Sequence, residues 1–450
     1  MENITIQDLS TFTNGKIGEG LAPETKVSFI SNDSRTQGEN WVYLALRGER
    51  LDGHQFVEGA YQNGAIAAIV ERDFAKGILV KDSYKALKDI AIGYKKRYDI
   101  PCVGVTGSSG KTTTKDMIYF ALSESKNTLR NEGNLNSEIG LPMTVLNLSK
   151  EHECCVLEMG MYHLGEIDYL AEIARPHIAV ITNVGTAHIL NLKTRENIRL
   201  AKMEITNYMN ERDFLLINGD NDMLAALDKK TIVPEVFTFG LGEHNDIHPI
   251  RWEFVSGKTK LAAKVLDEEV ELILPTIGEH NVGNALSALG VCKLLGLDLK
   301  KSAAGLEKYQ PSKHRMEKSE IGNKIIIDDS YNANPDSMRA ALSTLDYVSG
   351  ERKVAILADM LELGEGSAQY HFEVGEFAHR RVDVLIAIGE MAKYIVEGAK
   401  KSGMNEDCLY HFENNEQAKA RINDILQEKD AVIIKGSRGM KLEEVADSIC

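Results

Sequence analysis

The sequence predicts an α/β protein of three domains, on three observations. Its 450 residues exceed what one hydrophobic core ordinarily serves, and the length suggests about three domains. From about residue 98 onward, short apolar runs alternate with amphipathic stretches, the pattern of largely parallel sheets covered by helices on both faces. Polar breaks divide the chain into candidate domains at 1–97, 98–311 and 312–450.

Composition narrows the class. Hydrophobic residues at 43% and charged residues at 26% are those of an ordinary soluble globular protein. A formal net charge of -15 without a long basic run argues against nucleic acid as a partner, since phosphate backbones need clustered Lys and Arg. The N-terminus has neither a basic start nor an apolar core, so it does not read as a signal peptide. The apolar run 65–70 is far short of the ~20 residues that span a bilayer, so no membrane insertion is expected. Six scattered cysteines without a Cys-x-x-Cys pair suggest neither zinc nor a disulfide framework, and the chain reads as cytoplasmic.

The first domain mixes short strands and turns. Strands are predicted over 27–30 and 41–46, and helices over 56–61 and, weakly, 86–98. Two stretches, 31–35 and 47–54, read by themselves as polar turns.

The middle domain opens on the stretch around which the chain is organised, Val103-Gly104-Val105-Thr106-Gly107-Ser108-Ser109-Gly110-Lys111-Thr112-Thr113. A buried strand, a glycine turn, a lysine, a hydroxyl and a helix follow in the order of a phosphate-binding loop. Glycines let backbone N–H groups converge on phosphate, and the helix N-terminus adds partial positive charge. Lys111 can reach the β- and γ-phosphates of ATP, and the Thr112 hydroxyl can sit on Mg²⁺. The general motif has its first glycine where this chain has Val105; the compact Thr-Gly-x-x-Gly-Lys-Thr-Thr form is narrower. Further strands are predicted over 155–157, 178–182 and 214–217, then an antiparallel hairpin over 260–272 inserted before a helix that starts near Glu279. The third domain shows strands over 324–327, 354–357, 384–388 and 431–434, a second doubly wound α/β unit.

Functional groups gather past the carboxyl ends of strands in such sheets. Glu158 stands there, as a helix cap or, beside Gly160, as a Mg²⁺ ligand. His188 follows a strand and a glycine turn, where a ligand role competes with loop packing. Lys202 lies in a helix, where exposed lysines are commonplace, and by itself carries no functional claim. Asp328-Asp329-Ser330-Tyr331-Asn332-Ala333-Asn334-Pro335 carries more acids and amides than a cap requires.

Together these positions resemble the Mur ligases, ATP-dependent amide-forming enzymes of peptidoglycan assembly. The likeness runs through nearly the whole chain: Thr106 to Thr113, Glu158, Asn183 with His188, Lys202 to Ile205, His280 to Ala285, and Arg315. Within the family, Asp328 to Met338, Asn134 to Pro142, Asp359 to Gly364 and Lys435 to Gly439 resemble members that add D-alanyl-D-alanine to UDP-N-acetylmuramoyl-tripeptide. The N-terminal Ser31 to Arg35 block, Gly38, Leu46 to Gly48 and Asp52 to His54 resemble their uridine-nucleotide domain. One departure is Ser137, where those members often carry Asn.

The resemblance implies a nucleotide-sugar domain, a central ATP-binding domain and a C-terminal Rossmann-like domain. It implies ATP held by Thr106, Gly107, Ser108, Ser109, Gly110, Lys111, Thr112 and Thr113, with Asn281 and Asn284 near the adenine. Arg315, Asp329 and Tyr331 would approach ATP from the third domain. One Mg²⁺ would be held by Thr112 and Glu158 and a second would lie near His188, with Lys202 carbamylated by CO₂ so that its sign is reversed. Lys111, Glu158, His188, Lys202 and Arg315 are the implied catalytic set. Substrate contacts would come from Ser31, Asp33, Arg35, Arg47, His54, Asn136 and Asn334 of a monomer, with closure about 313–315 before chemistry. Two alternatives stay open: a family member that adds the third amino acid, and a phosphate-loop ATPase or switch that forms no bond.

Overall fold

In the computed structural model, which describes residues 1–48 and 50–450, three main sheets follow one another along the chain, with a small two-stranded sheet beside the first. Glu49, within the predicted turn 47–54, lies outside the described residues. Among the described residues no helix is long and apolar enough to cross a membrane.

The first sheet has the order Lys16–Ile17, Gly77–Leu79, Ala67–Val70, Trp41–Leu44, Phe29–Ser31, with Lys16–Ile17 antiparallel and the other four parallel. The apolar run read in sequence only as too short for a membrane is thus an inner strand. Ala67, Ala68, Ile69 and Val70 are all buried, as expected of a strand covered on both faces. The strand predicted over 27–30 is split. Lys26–Val27 pairs antiparallel with Ile4–Thr5, Phe29–Ser31 joins the main sheet, and Ser28 between them donates its N–H to the Asn40 carbonyl. The helix predicted over 86–98 spans Ser83–Lys95 instead, because the Asp82 carboxylate caps it by accepting the Lys85 N–H. This helix ties the first domain to the second: Tyr94 donates its hydroxyl to the Leu148 carbonyl at 2.6 Å.

The central sheet runs Thr128–Arg130, Cys154–Glu158, Cys102–Thr106, Ile178–Ile181, Phe214–Asn218, Glu235–Phe239, Ile247–Val255, Lys258–Val265, Glu268–Leu274. The predicted antiparallel hairpin is present before the helix Glu279–Leu294: Lys258–Val265 and Glu268–Leu274 pair antiparallel and extend this sheet at its edge. Alternation along the strands fills both faces. Val103, Val105, Val156 and Val180 pack under the helices Lys111–Ser123 and Glu279–Leu294. Leu157, Ala179 and Ile181 face Ile167, Leu170 and Ile198 on the opposite side, in a core continuous with Leu87 and Tyr94 of the first domain. Cys102–Thr106 is flanked by strands that come later in the chain on either side, so the switch point, and the crevice beyond the carboxyl ends, lies at its end.

The third sheet runs Glu317–Ile321, Lys324–Asp328, Asp430–Lys435, Arg352–Ala358, Val384–Ile388, Leu409–Phe412; Glu317–Ile321 is antiparallel and the rest are parallel. The four predicted strands are present, and Ala355, Leu357, Leu385 and Ile433 face one layer while Val354, Ile356, Ile386 and Ile434 face the other. Its switch point places Asp328, Asp329 and Lys435 side by side.

Candidate active site

The loop after Cys102–Thr106 is shaped by contacts no side chain at Gly107 permits. A Cβ there would fall 1.8 Å from Thr182 Oγ1, and Gly110 adopts φ +76 at the cap of Lys111–Ser123. Asn183 clamps the turn. Its Oδ1 accepts the Ser108 and Ser109 N–H groups at 2.9 Å each, and its Nδ2 donates to Ser109 Oγ. Thr106 stands behind the loop, donating its hydroxyl to the Met159 carbonyl at 3.0 Å. The first-turn amides of Lys111, Thr112 and Thr113 have no intrahelical acceptor and open towards the cleft. Gly107→Ala is expected to displace Thr182 or the loop at a strain of about 1–3 kcal/mol. That should weaken ATP binding by about tenfold or more with circular dichroism unchanged. Calorimetry that finds wild-type affinity would show that the loop has room after all.

Lys111 donates to the Gly107 carbonyl at 2.9 Å. Burial draws its ammonium below the ordinary value, and Glu158 pulls the other way. Glu158 is 2% exposed, and its carboxylate accepts the Thr112 hydroxyl at 2.8 Å and the Asn136 amide at 2.6 Å. Asn131, which the sequence reading passes over, holds the Glu158 backbone at both ends: Oδ1 accepts its N–H and Nδ2 donates to its carbonyl. Among the described residues Glu158 makes no ion pair. A buried carboxylate met only by neutral donors suits a cation, and the oxygens of Glu158 and Thr112 are the hard donors that Mg²⁺ takes.

Lys202 is not the solvent-exposed helical lysine its residue type suggests. It is 1% exposed on Arg195–Met203 and, among the described residues, makes no ion pair. Burial, then the like charge of Lys111, draws its ammonium far below the usual lysine range. A signal was available: Ile198, Ala201, Lys202 and Ile205 fall at i, i+3, i+4 and i+7 and share the buried face.

Two domains meet over the loop. His188 Nδ1 lies 2.8 Å from Glu362 Oε2 of the third domain. Asn334 caps the helix Pro335–Thr344 through its Oδ1 and turns its Nδ2 to the Ser108 carbonyl at 3.4 Å. The Arg315 guanidinium lies 3.9 Å over the Tyr331 ring, and Asp329 is paired with the buried Lys435. The connecting segment is anchored on the central domain, where Ser312 donates its hydroxyl to Asp116 at 2.8 Å and the Arg315 N–H is held by the Ser312 carbonyl. Asn281 and Asn284 hold this end together: Asn284 Oδ1 accepts the Thr114 hydroxyl and Asn281 donates to the Ile277 carbonyl. Next to them, partial withdrawal from solvent pulls the His280 imidazole down to about 4.

One cleft of about 910 Å³ is lined by Ser108 to Thr113, Asn136, Glu158, His188, Asn281, Asn284, Arg315, Asp329, Tyr331 and Asn334. Lys202 lies outside that lining but next to Lys111 in the field it feels. The predicted contacts of the first domain stand elsewhere. Ser31, Asp33 and Arg35 follow the carboxyl end of Phe29–Ser31, where hydrogen bonds from Arg35 hold the Asp33 carboxyl at about 2. Arg47 follows the neighbouring strand and is exposed. His54 is buried with both ring nitrogens taken, Nε2 by the Glu71 N–H and Nδ1 by Asp52, so it braces its own turn.

The pattern described as "Mur ligase middle domain" matches residues 105–292, "Mur ligase, glutamate ligase domain" matches 314–438, and "Mur ligase family, catalytic domain" matches 26–100. The chain is 34% identical to the UDP-N-acetylmuramoyl-tripeptide--D-alanyl-D-alanine ligase of Bacillus subtilis (strain 168), over 99% of this chain and 98% of that one. It is 31% identical to the enzyme of the same name from Escherichia coli (strain K12), over 100% and 99%. Among solved structures it superposes on MurF from Acinetobacter baumannii with a TM-score of 0.93 at 33% identity, covering 100% of this chain and 99% of the other. MurF ligase from Thermotoga maritima, in complex with ADP, gives 0.84 at 30% identity, covering 93% and 96%.

Proposed function

The chain belongs to the Mur ligase family, and from that premise we propose that it joins D-alanyl-D-alanine to UDP-N-acetylmuramoyl-tripeptide with cleavage of ATP. The observation that carries this reading is the shared cleft that the phosphate loop and Glu158 of one domain line together with Arg315 and Asp329 of the next. The boundaries 1–97, 98–311 and 312–450 assign the nucleotide sugar to the first domain, ATP to the second, and D-alanyl-D-alanine to the third together with the closing contacts.

The reaction needs an activated carboxyl group. The tripeptide carboxylate attacks the γ-phosphorus of ATP, and an acyl phosphate and ADP result. The amine of D-alanyl-D-alanine then attacks the acyl carbon, and the tetrahedral intermediate expels phosphate. Both steps bring anions together, so the chain's work is positioning and charge stabilisation. Lys111 exchanges its bond to the Gly107 carbonyl for phosphate oxygens, and the first-turn amides add donors. Arg315, its guanidinium carbon 3.9 Å over the Tyr331 ring, offers its N–H groups to phosphate. Thr112, Glu158 and His188 would hold Mg²⁺, in two sites, which would supply neutralising charge around the phosphates. The first-domain turns at Ser31, Asp33, Arg35 and Arg47 stand at the carboxyl ends of their strands, a place suited to the uridine nucleotide. His54 acts there through its turn, and Asn136 and Asn334 border the muramoyl-peptide.

A carbamate on Lys202 fits the same reading. An amine whose burial favours the neutral form is the nucleophile CO₂ requires: a bond forms between Nζ and the carbon, a proton leaves, and the side chain becomes an anion. One chain supplies every residue named here, so the reading takes a monomer, in the cytoplasm where ATP is made available.

The test is phosphate release with ATP and Mg²⁺, with UDP-N-acetylmuramoyl-tripeptide and D-alanyl-D-alanine added singly and together. Release only with both, and a product heavier by the dipeptide less water, is the expected result. Release with a single amino acid in place of the dipeptide would move the assignment to a neighbouring family step. Steady release with neither would leave an ATPase.

A further inference from the structure

Glu362 belongs to a loop with an unusual posture. It follows the strand Arg352–Ala358 and takes φ +63, in the left-handed region that non-glycine residues seldom enter. The loop is braced on both sides of its neighbours: the Met360 N–H is accepted by His371 Nε2 and the Leu361 N–H by Ser437 Oγ, each at 2.9 Å. Held so, Glu362 reaches across to the central domain twice. Its carbonyl accepts the Leu190 N–H at 3.2 Å, and its carboxylate meets His188 Nδ1 at 2.8 Å.

An ionised carboxylate only accepts hydrogen bonds, so Nδ1 of His188 carries the hydrogen when this contact is made. In the neutral ring the lone pair is then on Nε2, which has no protein hydrogen-bond partner among the described residues. Free of Glu362, a neutral imidazole distributes its hydrogen between the two nitrogens. We infer that Glu362 is a positioning residue of the reaction, carried in by the third domain to fix the tautomer of His188 and leave Nε2 as a ligand. Assembly of the central site is thereby coupled to closure of the domain that delivers Arg315. This rests on the reading of His188 as a ligand in the closed cleft.

The experiment compares His188→Ala, Glu362→Ala, Glu362→Gln and the double alanine variant in the full chain. Mn²⁺ bound in the presence of ADP is read by electron paramagnetic resonance. The ring ¹⁵N signal of His188 is identified as the one missing from His188→Ala. Expected is a loss of Mn²⁺ affinity of about 10–100-fold in His188→Ala and in Glu362→Ala, with the double variant no worse than His188→Ala. The His188 signal should shift from that of an Nδ1–H ring toward a mixture in Glu362→Ala, with Glu362→Gln between. Unchanged Mn²⁺ binding and unchanged turnover in His188→Ala would remove the ligand reading itself. If His188→Ala loses affinity while Glu362→Ala keeps both Mn²⁺ and tautomer, or the two losses multiply in the double variant, the role of Glu362 is overturned and that of His188 stands. The Glu362 side chain is 44% exposed, so its substitution leaves the core intact.

Discussion

Lys202→Met is expected to remove ligase turnover, by about 10³-fold or more, while making the fold more stable. Both effects follow from placing an amine where water cannot reach it. Lys202 is buried and, among the described residues, has no carboxylate to pair with, and Lys111 adds a like charge. Its folded-state value therefore lies far below the 10.5 it has in the unfolded chain. Below the folded-state value the native protein must hold a buried charge that the unfolded chain holds in water, and the cost is fully present. Between the two values the native amine is neutral and the unfolded one still binds a proton, so stability rises with pH. Above 10.5 the difference is gone. Methionine fills a similar volume without the charge, so its stabilising effect should be largest at low pH and shrink as pH climbs towards 10.5. Urea midpoints across that range, in metal-free buffer depleted of CO₂, read this directly. The turnover loss has its own signature. Wild type depleted of CO₂ should lose activity and regain it with bicarbonate, and ¹³C-labelled bicarbonate should give a carbamate signal absent from the variant. A Lys202→Met protein that keeps its activity, or that is less stable at every pH, would contradict the account.

Why some of this was legible in the sequence and some was not has a physical basis. A phosphate loop needs its glycines, lysine and hydroxyl within a few consecutive residues, because one turn and one helix start must deliver them all. Glu158 and Asp329 were visible because a parallel sheet exposes side chains just past its apolar runs. The run 65–70 was visible as apolar yet not as a strand, since a strand buried on both faces loses the alternation that marks one. Asn131 follows a strand of only three residues, Thr128–Arg130, too short to announce its carboxyl end. Glu362 and the Asn334–Ser108 contact depend on how one domain sits against another, and no local pattern encodes that. His54 and Asn334 show the converse: a polar residue at a suggestive place can spend its hydrogen bonds on a turn or a helix cap.

Glu158→Gln and Glu158→Ala should separate charge from scaffolding at the centre of the site. The carboxylate takes the Thr112 hydroxyl on one oxygen and the Asn136 amide on the other, while Asn131 fixes its backbone. Glutamine keeps the size and can still accept from Thr112, but its amide would face the Asn136 amide, donor against donor, unless one of them turns. Alanine leaves the Thr112 and Asn136 groups to find other partners in a pocket that is 2% exposed at this residue. Were Glu158 only a scaffold, glutamine would restore most of the function that alanine loses. Because, among the described residues, the buried carboxylate has no cationic side chain bonded to it, its charge is free to serve a bound cation. Both variants should therefore lose about 10²–10³ in kcat, with a raised Mg²⁺ requirement. The lost negative charge also acts on Lys111, whose ammonium Glu158 supports against burial. In both variants Lys111 is expected to give up its proton at lower pH, moving the alkaline limb of the rate profile downward. A glutamine variant with near wild-type kcat and Mg²⁺ dependence would assign Glu158 to the scaffold alone. An unmoved alkaline limb would remove its electrostatic support of Lys111.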